Sequence, residues 1–192
     1  MNARTIFFIG KPGCGKDTQA ELLSKTTGWP VISAGDQFRA LAKEESVLGQ
    51  KVKKEIDSGA LAPDWLAMHL YLTSLLNLSD ESSVIFDGFS REVSQAKLVV
   101  KSLAWLKRPF SVLNVAVSDE SVKKRLALRA ETSGRADDAV VDDRLKEYYT
   151  HTELVLAFFK NEGVLIEING EPSPEEIAVN VRSALGISHS AV

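Results

Sequence analysis

Residues 5–20 read Thr5-Ile-Phe-Phe-Ile-Gly-Lys-Pro-Gly-Cys-Gly-Lys-Asp-Thr-Gln-Ala20, and this stretch decides the fold. An apolar run typical of a buried strand comes first, a loop with three glycines follows, and a helical pattern begins near Lys16. Such a loop can turn several backbone N–H groups toward one anion, and the next helix adds the positive end of its dipole. A lysine in this position reaches the outer phosphates of a nucleotide. The stretch therefore predicts a phosphate-binding loop. A turn that only connects strand to helix is the weaker interpretation, given the strand and the lysine.

The residue after Lys16 departs from the usual pattern of such loops. Ser or Thr commonly stands there and ligates Mg²⁺ through its hydroxyl, whereas this chain has Asp17, with Thr18 one step later. A carboxylate beside a triphosphate is repelled unless it points outward or helps to bind the metal. We expect Asp17 to point outward, because an acidic side chain also suits the first turn of a helix.

Composition and length limit the class of protein. The chain has 192 residues, of which 44% are hydrophobic and 26% charged, so we expect one globular domain with a sizeable core. A net charge of −3 argues against a general surface for nucleic acid or anionic membrane. No run approaches the length of a membrane span and the first residues lack a signal-peptide profile, so we expect a cytoplasmic enzyme.

Cys14 is the single cysteine, which excludes an intrachain disulfide. Its place before a helix N-terminus allows an acidified, reactive thiol. We favour the other interpretation, a small residue that fits the loop. One cysteine also excludes a four-ligand zinc site, and the three histidines lack metal-ligand spacing, so we expect no zinc. We expect the three tryptophans to be core or half-buried anchors.

Strand-like and helix-like segments alternate along the whole chain. The pattern predicts strands at 5–9, 30–32, 83–86, 111–117 and 164–168. It predicts helices at 16–26, 36–44, 48–58, 63–76, 94–107, 120–131, 140–161 and 174–185, several of them capped by serine. We expect an α/β fold of the P-loop NTPase type, a five-stranded parallel sheet with helices on both faces and ligands at the carboxyl ends of the strands. Two segments do not follow this alternation of strands and helices. We predict a helical insert at residues 41–77 and a short flap at residues 132–139.

The nine arginines form the next signal, because several follow strands or lie in loops that would face the phosphate loop. A guanidinium group stays charged and can bind two phosphate oxygens, which suits a phosphoryl group in transfer. Arg125 and Arg129 are four residues apart and share a helix face, so a helix-surface pair is an equal alternative for them. We assume that the remaining arginines outside the predicted site are solvated; these are Arg4, Arg108 and Arg182.

Seven sequence blocks, taken in order, resemble the adenylate kinase family of nucleoside monophosphate kinases in its short-lid form. They are GKPGCGKDTQA at 10–20, ISAGDQFR at 32–39, GALAPD at 59–64, DGFSR at 87–91 with Gln95, RLALR at 125–129, SGRADD at 133–138 and RLKEYY at 144–149. The resemblance extends from Phe8 to about Leu185. It implies a single kinase domain over residues 1–192, with a core at 1–32, 63–131 and 140–192, an insert for the nucleoside monophosphate (NMP) at 33–62, and a lid at 132–139.

The resemblance also implies roles for the matched residues. The residues implied for ATP are Gly13, Cys14, Gly15, Lys16, Asp17, Thr18, Arg125 and Arg129. Those implied for the acceptor are Ala34, Arg39, Ala60, Leu61, Ala62, Gly88, Phe89, Ser90, Arg91, Gln95, Arg135 and Arg144. The catalytic residues would be Lys16, Arg91, Arg129, Arg135 and Arg144.

Within these sets the resemblance assigns particular tasks. Arg125 would stack on the adenine of ATP, and Arg39 and Arg91 would hold the monophosphate. Arg135 and Arg144 would close over the transferred group when the lid folds down. Asp87 would hold water molecules on Mg²⁺. No general base is implied, because phosphoryl transfer depends on positioning and charge neutralisation.

The chain differs from the family pattern at three places. Asp17 replaces a glycine, Ser90 replaces a proline and so loosens a turn, and the stretch between Arg135 and Arg144 is two residues shorter than usual. The acceptor is indicated by two positions. Ala34 is typical of UMP/CMP kinases, whereas Gln95 suits an adenine edge and occurs in some uridylate kinases. We expect AMP as acceptor, with UMP or CMP as the alternative, and a monomer.

A protein of another class also fits the sequence. An ATP- or AMP-binding protein that has lost catalysis would explain Asp17, but it would not require Lys16 and all of the matched arginines.

Overall fold

The computed structural model describes residues 4–133 and 140–187. Within them, five strands form one parallel sheet in the order β2-β3-β1-β4-β5. The strands are β1 (Thr5–Ile9), β2 (Val31–Ser33), β3 (Val84–Asp87), β4 (Phe110–Ala116) and β5 (Leu165–Asn169). The predicted five-stranded parallel α/β fold is confirmed.

Helices connect the strands. Their bounds are α1 (Lys16–Thr27), α2 (Ala34–Leu41), α3 (Val47–Asp57), α4 (Asp64–Leu76), α5 (Val93–Trp105), α6 (Asp119–Ser133), α7 (Val141–Glu147), α8 (Glu153–Asn161) and α9 (Pro174–Ala184). None of the helices in residues 4–133 and 140–187 is both long enough and apolar enough to span a bilayer.

The sheet has a hydrophobic core on each face, because successive side chains of β1 point to opposite sides. Ile6 and Phe8 belong to one cluster, which also contains residues of α1 and α9. Phe7 and Ile9 belong to the other cluster, with residues of α4 and α5. All five residues of β1 are buried, as expected for the central strand of a parallel sheet.

Several predicted helix starts are confirmed. The Ser33 side chain accepts a hydrogen bond from the Asp36 N–H at the start of α2. Ser173 and Glu176 form a complete capping box at the start of α9. Each of these caps satisfies backbone donors that the first turn of a helix leaves open.

The long helix predicted over residues 140–161 is not continuous. A π-helical turn, Tyr148–Thr152, separates α7 from α8. A π-turn spans one residue more than an α-helical turn and is frequent at functional sites. Hydrophobic periodicity did not reveal it, because apolar residues keep a helical spacing on both sides.

Arg108 was expected to be solvated, and this prediction is wrong. Its relative exposure is only 8%, and the guanidinium donates three hydrogen bonds. The acceptors are Thr5 Oγ1 at 3.3 Å, the Ser79 carbonyl at 3.1 Å and the Ser82 carbonyl at 2.6 Å. Arg108 therefore ties the loop before β3 to the first residue of β1.

The expectation for the tryptophans is wrong for two of the three. Trp29 is half-buried and packs against the core, as expected. Trp65 and Trp105 lie on the surface with relative exposures of 66% and 80%. Both lie at an end of a helix, where a single exposed aromatic residue needs no structural role.

We predict that Arg108→Met lowers the free energy of unfolding by about 3 kcal/mol, because it removes a charged donor from three acceptors while keeping the apolar stem. Urea denaturation measures the change. Arg182→Met, the same substitution at a half-buried position on α9, should change stability by less than about 0.5 kcal/mol. Equal losses in the two variants would contradict the structural role of Arg108.

Cys14 is completely buried, and burial raises the pKa of its thiol. This confirms the interpretation of Cys14 as a residue that fits the loop. We predict that the native protein reacts with 5,5′-dithiobis(2-nitrobenzoate) only as fast as it opens, since the thiolate is the reacting form. The unfolded protein in guanidinium chloride provides the control and should react at once. Rapid stoichiometric labelling of the native protein would show an accessible thiol.

Candidate functional site

The phosphate loop joins the end of β1 to the start of α1. Gly15 is the N-cap of α1 and has φ 93° and ψ 11°, a left-handed conformation that glycine adopts without a steric penalty. Having no side chain, Gly15 cannot cap the N–H groups of the first helical turn. These donors and the positive end of the helix dipole are therefore available to an anion.

Glycine is required at two further positions of the loop, because the backbone has a positive φ there and neighbouring atoms lie too close for a Cβ atom. Gly10 has φ 148°, and a Cβ atom there would lie 2.8 Å from the Val115 carbonyl oxygen. Gly13 has φ 71°, and its Cβ atom would lie 2.8 Å from Leu126 Cγ. The loop is thus held against β4 and α6 in a shape that larger residues would disrupt.

Lys16 is buried at the start of α1, and its Nζ lies 3.3 Å from Asp17 Oδ1. Burial lowers the pKa of Lys16, but the carboxylates of Asp17 and Asp87 outweigh this effect and raise it. The side chain of Asp17, which was expected to point outward, is 44% exposed, and its carboxylate is ion-paired with the lysine of the loop.

Asp87 ends β3, directly beside Phe8 of β1 in the register of the sheet. It is only 4% exposed, and within the described residues its Oδ1 has no hydrogen-bond donor. Burial raises the pKa of Asp87, Asp17 raises it further, and Lys16 and Arg91 oppose the shift. A buried carboxylate oxygen without a donor fits water molecules bound to Mg²⁺.

A direct protein cage for a metal is absent from residues 4–133 and 140–187, where no three His, Cys, Asp or Glu side chains could hold an ion together. The residues present therefore fit a Mg²⁺ ion that is bound mainly by phosphate oxygens and water, with Asp87 beside it.

A pocket beside α2 and α3, called the insert pocket here, spans about 740 Å³, a volume that includes the solvent at its open mouth. Most residues predicted for the acceptor line it, namely Ala34, Arg39, Ala60, Leu61, Ala62, Gly88, Phe89, Arg91, Gln95 and Arg144. The sequence did not indicate Phe38, Ile56 and Gly59, which line it as well. These residues add apolar surface to the pocket, and the polar side chains that line the same pocket can orient a ligand.

Two predicted acceptor residues are not part of the insert pocket. Arg135 lies outside the described residues. Ser90 is buried and is not among the lining residues. Ser90 has φ 61°, which a proline ring cannot adopt, so this turn has a conformation that excludes proline.

Arg91 is fixed from three directions. Its Nε donates to the Gly88 carbonyl at 3.0 Å, and its backbone N–H donates to Gln95 Oε1 at 2.9 Å. The Thr152 hydroxyl, from the π-turn, donates to the Arg91 carbonyl at 3.1 Å. Two of these bonds fix the backbone of Arg91, and the third orients its guanidinium group through Nε before a ligand arrives.

Arg39 lies on α2 at the same pocket. It forms an ion pair of 2.6 Å with Asp36, three residues earlier on the helix. The side chain of Arg39 is 33% exposed, so it can still contact a ligand.

A second cavity connects the insert pocket to the phosphate loop, and we call it the junction. Lys16, Arg91 and Arg144 all line it, and we refer to them as the junction cations. They come from three different elements, α1, the β3–α5 loop and α7. The arrangement suits the charge of a phosphoryl group located between two nucleotides.

The remaining nucleotide-binding candidates line a pocket on the other side of the loop, the loop pocket. These are Gly13, Cys14, Gly15, Asp17, Thr18, Arg125 and Arg129. Arg125 donates to the Cys14 carbonyl at 3.0 Å and to the Gly170 carbonyl at 2.8 Å. Arg125 and Arg129 thus lie at one pocket, which favours the site interpretation over a simple helix-surface pair.

A network at the outer side of the loop was not predicted. Asp119 accepts hydrogen bonds from Lys11 Nζ at 2.6 Å and from the Tyr149 hydroxyl at 2.7 Å. It links the phosphate loop, the start of α6 and the π-turn. Lys11 was visible in the sequence as a second loop lysine, but nothing in the spacing indicated its partners.

Comparison with known proteins agrees with this arrangement. A sequence model of the family described as Adenylate kinase matches residues 8–164. The chain is 37% identical to an adenylate kinase of Leptospira biflexa over 185 residues, covering 95% of this chain and 100% of that protein. It is 37% identical to one of Cyanothece sp. over 183 residues, covering 94% and 93%. It is 35% identical to one of Thermus thermophilus over 187 residues, covering 96% and 98%.

The matched region contains the phosphate loop, the insert pocket and the junction cations. The relatives match over nearly their full lengths. The chain therefore belongs to the adenylate kinase family.

Proposed function

We propose that this protein catalyses the reversible transfer of the terminal phosphoryl group of ATP to AMP, giving two ADP. The observation that carries the proposal is the junction, where Lys16, Arg91 and Arg144 line one cavity between the phosphate loop and the insert pocket. A protein that only bound a nucleotide would not need cations from three elements at this place. The named adenylate kinases over nearly the whole chain support the same activity.

In this mechanism the protein positions two polyanions and neutralises their charge. The N–H groups of the loop and Lys16 hold the phosphates of ATP, with Arg129 at the loop pocket. Arg39 and Arg91 hold the phosphate of AMP in the insert pocket. The junction cations stabilise the charge that spreads over the transferred group, and no side chain has to remove a proton beforehand.

Mg²⁺ belongs to the proposal as the partner of ATP. When bound, it neutralises phosphate charge and orients the phosphates. Asp87 would hold its water molecules, which agrees with the buried Oδ1 that has no donor in the described part of the chain.

The division into parts is also a proposal. Helices α2 and α3 lie within residues 33–62, the NMP-binding insert, and they contribute Ala34, Arg39 and Ile56 to the insert pocket. Residues 132–139 would form the lid that brings Arg135 toward Arg144 and excludes water from the junction. We further infer a cytoplasmic monomer that binds neither nucleic acid nor membrane, in agreement with the net charge of −3.

The choice of AMP is supported by the hydrogen bonds of Gln95. Its Oε1 already accepts from the Arg91 N–H, so its amide group is left to donate toward the base. The Watson–Crick edge of adenine presents the N1 acceptor beside the N6 donor. Ala34 adds an apolar contact and no hydroxyl, so Gln95 supplies the polar contact to the base. Because cytosine and uracil also present acceptors, the preference for AMP over them is supported by the named adenylate kinases.

We predict that Lys16→Ala lowers kcat for ADP formation from ATP and AMP by about 100- to 1000-fold, since one preorganised charge is lost. A coupled assay measures the rate. Lys25→Ala, at the exposed end of the same helix, is the matched control and should keep the wild-type rate. Absence of turnover in folded wild-type protein that still binds ATP would favour the nucleotide-binding protein without catalysis.

We predict that kcat/KM at fixed Mg-ATP is highest for AMP in a series of AMP, dAMP, CMP and UMP. Gln95→Glu keeps the oxygen that accepts from Arg91 but removes the amide donor. It should lower kcat/KM for AMP by about 10- to 100-fold, because a buried acceptor of the base loses its donor. A higher kcat/KM for UMP or CMP in the wild type would instead identify a UMP/CMP kinase.

A further inference from the structure

The π-turn between α7 and α8 forms hydrogen bonds on two sides of the site. On the acceptor side, the Thr152 hydroxyl donates to the Arg91 carbonyl at 3.1 Å. On the side of the phosphate loop, the Tyr149 hydroxyl donates to Asp119 Oδ1 at 2.7 Å, and the same oxygen accepts from Lys11 Nζ at 2.6 Å. One short segment is thus connected both to the loop proposed for ATP and to an arginine that lines the insert pocket.

The wider turn explains how two side chains so close in sequence reach different partners. Tyr149 and Thr152 are three residues apart, and residues at this spacing share a face of an α-helix. A π-turn spans one residue more, so each residue advances by a smaller angle and the two side chains diverge.

The hydrogen bond of Thr152 is also unusual for a threonine in a helix. Such a hydroxyl commonly bonds to the carbonyl four residues earlier in the same helix. Thr150 does this, since its hydroxyl donates to the Lys146 carbonyl at 2.8 Å. The Thr152 hydroxyl instead donates to Arg91, in a different element.

Burial and ring packing restrain both contacts. Thr152 is only 4% exposed, and it lines the junction together with Tyr148. Tyr148 packs edge-to-face against Tyr149, with the ring centroids 5.4 Å apart. Lys11 Nζ lies 5.2 Å from the centroid of the Tyr149 ring, and the Lys11 side chain is 17% exposed. The ammonium group is therefore held by the aromatic ring as well as by the carboxylate of Asp119.

Phosphoryl transfer depends on the relative position of these two sides. The attacking and leaving oxygens have to lie roughly in line, and a misplacement of about 1 Å can cost about 100-fold in rate. The phosphate loop follows β1, whereas Arg91 follows β3. Beyond the edge of the sheet, the π-turn is bonded directly to Arg91 and, through Asp119, to Lys11 of the loop.

We propose that the π-turn keeps the donor and acceptor phosphates in line for transfer. Tyr149 is a positioning residue for the phosphate loop and acts through Asp119 and Lys11. Thr152 is a positioning residue for Arg91. The inference rests on the proposed function, because it requires the phosphate loop to hold ATP and Arg91 to hold AMP.

Calorimetric titration with Mg-ATP alone and with AMP alone tests the two contacts separately. Thr152→Val removes the hydroxyl at nearly constant shape, so the Kd for AMP should rise about 3- to 10-fold while the Kd for Mg-ATP stays at the wild-type value. Tyr149→Phe keeps the ring and removes the hydrogen bond to Asp119. It should raise the Kd for Mg-ATP by a similar factor and leave the Kd for AMP unchanged.

Steady-state kinetics tests the alignment itself. With both nucleotides at saturation, Thr152→Val and Tyr149→Phe should each lower kcat by about 3- to 10-fold, because saturation does not restore the relative position of the phosphates. Thr152→Ser retains a hydroxyl and should return both the Kd for AMP and kcat to the wild-type values.

Thr150→Val is the matched control, because it removes a hydroxyl from the same turn whose hydrogen bond stays within the helix. It should leave both Kd values and kcat unchanged. Thermal unfolding verifies that each variant is folded at the assay temperature.

The outcomes separate this inference from the proposed function. The inference is overturned if Thr152→Val or Tyr149→Phe weakens both nucleotides equally, if either variant leaves its own nucleotide or kcat unaffected, or if Thr150→Val has the same effects. If the folded wild-type protein binds Mg-ATP and AMP but forms no ADP, the proposed function fails, and the inference fails with it.

Discussion

Repulsion between like charges is the constraint on which this site depends. The junction cations lie around one cavity, and such groups repel one another unless anions lie among them. In the protein without nucleotide, Asp17 and Asp87 supply negative charge beside Lys16, Asp87 also interacts with Arg91, and Glu147 lines the junction itself. The fold makes the arrangement possible because β1 and β3 are neighbours, so that the phosphate loop and Asp87 leave the same edge of the sheet. Binding of nucleotide then replaces one set of anions by another.

Rigid support for the cations comes from neutral groups. Arg91 is fixed by Gly88, Gln95 and Thr152, and none of these carries a charge that a phosphate would have to displace. Arg125 is bound by two backbone carbonyls in the same manner. Guanidinium groups held in this way keep their full charge for a ligand, and little conformational entropy is lost when the ligand binds.

The sequence predicted the features that follow from local pattern. Buried parallel strands appear as apolar runs, and the loop glycines mark positions where the backbone must have positive φ or close contacts, so both were predictable. The ion pair between the adjacent residues Lys16 and Asp17 was not predicted. Two further features depend on distant groups and were not predicted either. Arg108 is buried because carbonyls from a separate loop surround it, and the π-turn is joined to Asp119 and Arg91 by hydrogen bonds. No spacing within one segment reveals such partners.

The π-turn sets the rotation of α7 about its axis relative to α8. Tyr148 lines the junction, Tyr149 reaches Asp119 and Thr152 reaches Arg91, while Phe159 of α8 lies in the core. Loss of one residue from this turn would rotate α7 about its axis relative to α8 by roughly 100°. With α8 anchored, the guanidinium of Arg144 would swing away from the cavity. A single-residue insertion or deletion in this turn would therefore remove Arg144 from the junction, and the distance in sequence from Arg144 to the core is set by geometry.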